Sequence, residues 1–105
     1  MASTIEELTV NYFDEDGQQI IRELDKQVLS KGAWPTIMFL FTEWDRTKKA
    51  WGAPKARIER FQKRNGEYRS HAKFKFTSAK QAQQIVEVFN AWIESGAFSG
   101  DEDEH

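Results

Sequence analysis

Twelve basic side chains fall between residues 46 and 80: Arg46, Lys48, Lys49, Lys55, Arg57, Arg60, Lys63, Arg64, Arg69, Lys73, Lys75 and Lys80. Only Glu59 and Glu67 oppose them, so this segment carries +10 inside a chain of net charge −2. Trp51, Phe61, Tyr68 and Phe74 are interleaved with the cations. Cations in this arrangement track phosphates, and flat rings among them stack on unpaired bases. In residues 67–77 the alternation is clean: Arg69, His71, Lys73 and Lys75 on one parity, Tyr68, Ala72, Phe74 and Phe76 on the other. Read as a strand, the second set faces a core, and the first is a row of charge spaced about 7 Å per step. That spacing is close to the phosphate repeat of an extended single strand. The plainer reading of the same residues is a solvated charged face.

Catalytic chemistry has little to work with. Apart from the terminal His105, the one histidine is His71, which among lysines suits a phosphate contact better than a general base. Ser70 precedes it, but adjacent strand residues point to opposite faces and cannot form a nucleophile–base pair. Glu59 with Lys63 would need a second carboxylate to build a metal-dependent nuclease centre, and none stands at a fitting spacing. There is no cysteine, no phosphate-cradling glycine loop and no metal-ligand cluster. The expectation is a non-enzyme with no cofactor and no metal.

The elements that would position the cations can be read from the flanking sequence. Charge is segregated: residues 1–45 carry nine acids against three bases, and residues 81–105 carry six acids and no lysine or arginine. The chain is therefore strongly dipolar despite its near-neutral total. At 105 residues it is one domain, 1–98, with residues 99–105 an acidic tail expected to be disordered. No apolar run approaches a membrane span, and the first residues lack the pattern of a signal peptide. Together with the missing cysteines this fits a cytoplasmic setting, with nucleoid association open.

Residues 5–13 read as a strand with Leu8, Val10 and Tyr12 on one face. Asp14–Gly17 is a turn. Residues 18–30 fit both periods: Ile20, Ile21, Leu24 and Val28 at helical spacing, or Ile20, Leu24 and Val28 on one face of a strand. A tight Asp-Gly turn after a strand favours a hairpin, so a strand is the reading taken. After a turn at 31–35, Thr36–Trp44 is apolar on both faces, which predicts a central strand covered on both sides. Trp44 and Trp51 flank a polar turn and are placed to pair across it. Residues 55–64 form a strand, and Asn65-Gly66 is the strongest hairpin signal in the chain. Ser78 with Gln81 forms a capping box, and Ala82, Ile85, Val86, Phe89, Trp92 and Ile93 give the following helix an apolar stripe that ends near Gly96. The helix carries almost no positive charge, so it packs on the sheet or on a partner and does not enter a DNA major groove.

This order of parts resembles the transcriptional-coactivator family named positive cofactor four, including its bacterial relatives. Ala56-Arg57-Ile58-Glu59-Arg60-Phe61 resembles that family's aliphatic–Ile–Arg–Glu–aromatic strand, with the two charges swapped in order. Asn65-Gly66-Glu67 is similar to its acidic glycine turn, and Phe74-Lys75-Phe76-Thr77 to the end of its basic strand and the helix entry. Arg22-Glu23-Leu24-Asp25 and the strand after Pro35 look more like the bacterial relatives. Lys73 stands where the family has glycine, and the Trp44–Gly52 hairpin is extra. The resemblance implies a curved antiparallel sheet joined to a C-terminal helix, a dimer, and single-stranded DNA held across the sheet. It carries over Arg57, Lys63 and Arg64 as backbone contacts and Phe61 as a stacking ring.

The resulting expectation is an α+β domain: a curved antiparallel β-sheet of four to five strands and one C-terminal α-helix, forming a homodimer. Its function would be non-catalytic binding of single-stranded DNA or RNA with little sequence preference, in transcription, replication or repair. The candidate contacts are Lys48, Lys49, Trp51, Lys55, Arg57, Phe61, Lys63, Arg64, Arg69, His71, Lys73 and Lys75. The alternative is a protein-interaction adaptor whose basic sheet receives an acidic partner.

Overall fold

The structure, a computed structural model, describes residues 2–98. The acidic tail expected at 99–105 lies outside them. The chain forms a curled antiparallel sheet followed by one helix, an α+β architecture. Its strands are β1 (Tyr12–Phe13), β2 (Gln19–Ser30), β3 (Thr36–Asp45), β4 (Ala50–Trp51), β5 (Lys55–Arg64) and β6 (Glu67–Phe76), and the helix is α1 (Ala79–Ser95). The sheet order is β1-β2-β3-β5-β6, with β4 paired to β3. No helix among the described residues is long and apolar enough to cross a membrane.

Local chemistry explains most of these elements. The segment read as a strand at 18–30 is one, Gln19–Ser30, and pairs along β3. Asn65 and Gly66 take φ values of 54° and 80°, the type I′ geometry that matches strand twist. Trp44 and Trp51 are register partners with their rings edge-to-face at 5.5 Å. Ser78 Oγ accepts from the Gln81 N–H at 3.1 Å, while Gln81 Oε1 accepts from Thr77 N–H, one residue before the cap. Gly96 closes the helix at φ 84°, where a side chain would be strained. Register shifts at Glu23/Asp25, Val28/Ser30 and Arg60/Phe61 place bulges in the long strands, and bulges bend and twist a sheet.

The first departure from expectation is the N-terminal segment. Residues 5–13 are not one strand. Thr4 and Glu7 form a capping box that closes a 3₁₀ turn over Ile5–Glu7. The chain then runs across one face of the sheet and reaches an edge only at Tyr12–Phe13. Leu8 and Val10 are buried there, but Tyr12 is exposed. The Lys26 ammonium holds the crossing by donating to the carbonyls of Ile5 and Leu8, each at 2.7 Å. Tyr68 N–H donates to the Ala2 carbonyl at 2.9 Å. A strand pattern cannot announce an ammonium that supplies the donors a neighbouring strand would otherwise provide.

Beneath this strap lies the core. Ile37, Phe39 and Phe41 of β3 are at most 1% exposed and pack with Leu8, Val10 and Phe61. All these β3 residues share one parity, here termed the covered face. The other parity, the open face, carries Met38 and Leu40, and Leu40 is 40% exposed. Within one chain β3 is therefore covered on one side only. The helix does not close the second side. Ala79 and Ala82 border a shallow recess with Leu40, Pro54, Ala56 and Phe76, while Val86, Phe89, Trp92 and Ile93 remain 44–55% exposed. The radius of gyration, 16.1 Å, exceeds the roughly 13 Å of a compact domain of this length.

Replacing Leu8 by alanine should cost about 2–4 kcal/mol in urea unfolding, because it opens a cavity beneath the strap. A loss under about 0.5 kcal/mol, the range of a surface substitution, would show that the strap does not close the core.

Candidate nucleic-acid interface

Strand register decides where each cation stands, because direct partners in adjacent strands share a face. On the covered face Phe39 faces Arg57 and Phe41 faces Lys55 across β3–β5. Across β5–β6, Arg57 faces Lys75 and Glu59 faces Lys73. Lys55, Arg57, Lys73 and Lys75 therefore gather on one face, at the β5–β6 side of the core. Within each strand the cations repeat every second residue, about 7 Å apart.

This placement corrects the alternation expected for β6. At the Arg60/Phe61 shift, Ala72 faces Arg60 and Ser70 faces Phe61, so His71 is an extra residue. The bulge inverts parity along the strand. Tyr68 and Ser70 join Lys73 and Lys75 on the covered face, while Arg69 joins Ala72, Phe74 and Phe76 on the open face. The face carrying Lys73 and Lys75 is thus the one that holds the core, and Phe74, expected to be buried, is 55% exposed. Tyr68 does pack against the core, from the side opposite Phe74.

The cations are not free-standing. Glu43 Oε1 and Oε2 accept from Lys55 at 2.5 Å and Lys75 at 3.3 Å. The hydrogen bond from Lys55 pulls the Glu43 pKa below its ordinary value of 4.5, with Lys75 adding to the effect and burial opposing it. Arg57 pairs with the buried Glu59 at 3.1 Å and stands 5.7 Å from the Phe41 ring. Lys73 makes no ion pair among the described residues, although Glu59 is its register partner. Four cations and two carboxylates leave the group at +2.

The remaining candidates distribute around this group. Lys63 and Arg64 are exposed at the β5–β6 tip, Lys63 Nζ lying 5.3 Å from the Tyr68 ring. Arg69 bonds Glu67 at 3.5 Å on the open face. Lys48 and Lys49 are exposed on the β3–β4 turn, away from the strand row. Trp51 is half-buried, with the Arg22 guanidinium 4.1 Å from its ring and Trp44 against it. Phe61 keeps its parity with Arg57 and Lys63 but is a core residue, 6% exposed, so it presents no face to a base. His71 stands edge-on to Trp34 at 4.8 Å rather than in the lysine row.

Three participants carried no signal in the sequence. Glu43 lies outside the basic segment and enters only through the fold. Arg22 reaches Trp51 because β2 pairs with β3. Trp34 meets Arg60 and His71 because Thr36 faces Arg60 across β3–β5. Each of these needs strand order, which local periodicity does not contain. Among the described residues no three of His, Cys, Asp and Glu come together as a metal site would require.

No family model, curated protein or solved structure matches the chain, so the resemblance of the β5–β6 hairpin to the coactivator family stands on the residues quoted above alone.

The Glu43 triad generates a pH prediction. A carboxyl whose folded pKa is lowered stabilises the fold above its unfolded pKa, and that contribution is lost as pH falls through the folded value. Glu43→Gln should therefore be destabilised at pH 7, and should lose less stability than the wild type on acidification below pH 4.5. Urea titrations of both proteins at neutral and acidic pH measure this. Identical pH dependence would show that the triad contributes nothing.

Proposed function

We propose that this chain binds single-stranded nucleic acid without catalysis and with little sequence preference, along the β5–β6 hairpin. The observation that carries the reading is the set Lys55, Arg57, Lys73 and Lys75 on one face of two paired strands. Its repeat of about 7 Å along each strand matches the reach between successive phosphates. Lys63 and Arg64 extend the positive surface to the hairpin tip. Affinity would come mainly from released counterions and little from base edges, so sequence would matter little. Glu43 and Glu59 hold the cations in place before a strand arrives, and phosphates then compete with carboxylates for the same donors.

A second reading has a specific observation behind it. Phe61 is buried and Trp51 is flanked by Arg22 and Trp44, so the two rings expected to stack are already engaged. An acidic partner protein would need the cations and no rings.

We also propose that the working form is a homodimer. Val86, Phe89, Trp92 and Ile93 form an exposed stripe on α1, and Leu40 and Phe74 are exposed on the open face. Apolar surface of this extent on a small domain marks an interaction surface. A second copy would bring an identical stripe and open face, the self-complementary arrangement of a two-fold dimer.

Titration with an unlabelled oligothymidine, read by tryptophan fluorescence, should reach a stoichiometric end point. Affinity should fall steeply with salt. Lys73→Ala and Lys75→Ala should each weaken binding to all sequences alike and lower the salt slope by about 0.7 per lost phosphate contact. Weak binding that vanishes at modest salt without a fluorescence change would favour the acidic-partner reading. Sedimentation should give a dimer at tens of micromolar, and Ile93→Glu should shift it toward the monomer. A wild-type monomer under those conditions overturns the dimer.

A further inference from the structure

Arg57 and Arg60 stand three residues apart on β5, and each has an Nε that is buried without a hydrogen-bond partner. Their surroundings otherwise differ. Arg57 lies on the covered face and is neutralised by Glu59. Arg60 lies on the open face and has no carboxylate within ion-pair distance among the described residues. Its guanidinium stands 5.4 Å from the Trp34 ring, and the edge-on contact of Trp34 with His71 completes a cluster of one indole, one guanidinium and one imidazole.

Two acids of this face are engaged elsewhere. Asp25 faces Leu40 and accepts from the Lys26 N–H and the Gln27 side chain. Glu67 bonds Arg69 at the hairpin tip. A half-buried guanidinium whose donors meet no carboxylate among the described residues favours an anion beside it. Trp34 is half-buried, so part of the residue stays accessible to solvent. The cluster lies at the end of the sheet away from the helix entry, since Arg60 is four residues, about 13 Å of strand, beyond Ala56.

We infer that Trp34, Arg60 and His71 form a subsite for one nucleotide of a bound single strand. Arg60 and His71 take the phosphate, and Trp34 receives the base. This rests on the nucleic-acid reading above and adds to it a place on the open face, separate from the lysine row. A guanidinium donates in a planar fork to a phosphate, and indole stacking tolerates any base, so the subsite adds affinity without adding sequence preference.

The test follows the tryptophan indole N–H signals by NMR, with Trp34 assigned through Trp34→Phe. Oligothymidine should move the Trp34 signal, and the phosphorylated dinucleotide pdTpdT should move it at higher concentration. Arg60→Gln should weaken oligothymidine binding on the order of tenfold, the size expected for one stacked nucleotide, and should abolish the Trp34 shift. Arg60→Lys keeps the charge and a similar stem. It serves if Arg60→Gln fails to fold, and it should still lose most of the effect because it lacks the planar fork. The subsite is overturned if oligothymidine binds while the Trp34 signal stays fixed and Arg60→Lys binds as the wild type does. It is also overturned if inorganic phosphate alone reproduces the full Trp34 shift, which would make this an anion site without a base. Failure of the wild type to bind oligothymidine at all would instead overturn the underlying reading.

Discussion

The burial of Ile37, Phe39 and Phe41 beneath Leu8 and Val10 is the constraint from which the rest of this structure follows. A single curled sheet has two faces, and this chain has one short segment to cover one of them. Once the strap lies across β3, everything of that parity on neighbouring strands is fixed beside the core. Arg57 and Lys55 face Phe39 and Phe41, and Lys75 and Lys73 face Arg57 and Glu59 in turn. Lys73 and Lys75 reach solvent because they stand on the edge strand β6, while Lys55 and Arg57, on β5 next to the core, stay half-buried. Lys26 ties the two halves of this arrangement together. Its ammonium donates to the Ile5 carbonyl, which also accepts from the Leu8 N–H, and to the Leu8 carbonyl, which a backbone crossing a sheet face would otherwise leave unpaired.

Features fixed by neighbours in sequence were legible, and features fixed by neighbours in space were not. The Asn65-Gly66 turn, the Ser78 cap, the Gly96 stop and the Trp44–Trp51 pair each depend on a few consecutive residues or on one hairpin. Residues 18–30 lay between two periods, and the turn before them decided correctly for a strand. The strap escapes the strand reading because the local Thr4–Glu7 box prevails over the alternation of Leu8, Val10 and Tyr12, and because its anchor is Lys26 in another element. The parity of β6 was misread for a related reason. Alternation from Glu67 to Phe76 assumes a continuous ladder, and one extra residue at His71 breaks it. Lys73 and Lys75 were correctly placed together, but Arg69 and His71 were wrongly grouped with them.

The two faces of the sheet carry different chemistry. The covered face is saturated: its apolar centre is buried, and Glu43 and Glu59 engage three of its four outer cations. The open face is unsaturated in two ways. Its middle, Leu40 and Phe74, is apolar and exposed, as is the helix stripe beyond it. Its far end holds Arg60, a guanidinium with no carboxylate at ion-pair distance among the described residues. Unsatisfied apolar surface and unsatisfied charge call for different partners, and their separation along the strands lets both be met together. The proposed dimer would occupy the middle and helix, leaving the Arg60 end free.

The carboxylates within the basic hairpin bear on both folding and binding. Residues 55–76 carry eight lysine and arginine side chains against Glu59 and Glu67. Cross-strand cation pairs such as Arg57 with Lys75 repel one another and would weaken the ladder. Glu59 and Glu43 offset that repulsion where the cations are closest. Glu43 does so from β3, so the charge balance of the hairpin depends on a strand outside it. A phosphate entering this group relieves the same repulsion that the carboxylates relieve, and therefore gains only the difference between the two. The lysine row on its own is thus suited to weak, exchangeable, salt-sensitive contacts. Under the proposed function, a tighter hold on a strand would come from cations that no carboxylate among the described residues serves: Lys73 on the covered face, Lys63 and Arg64 at the tip, and Arg60 on the open face.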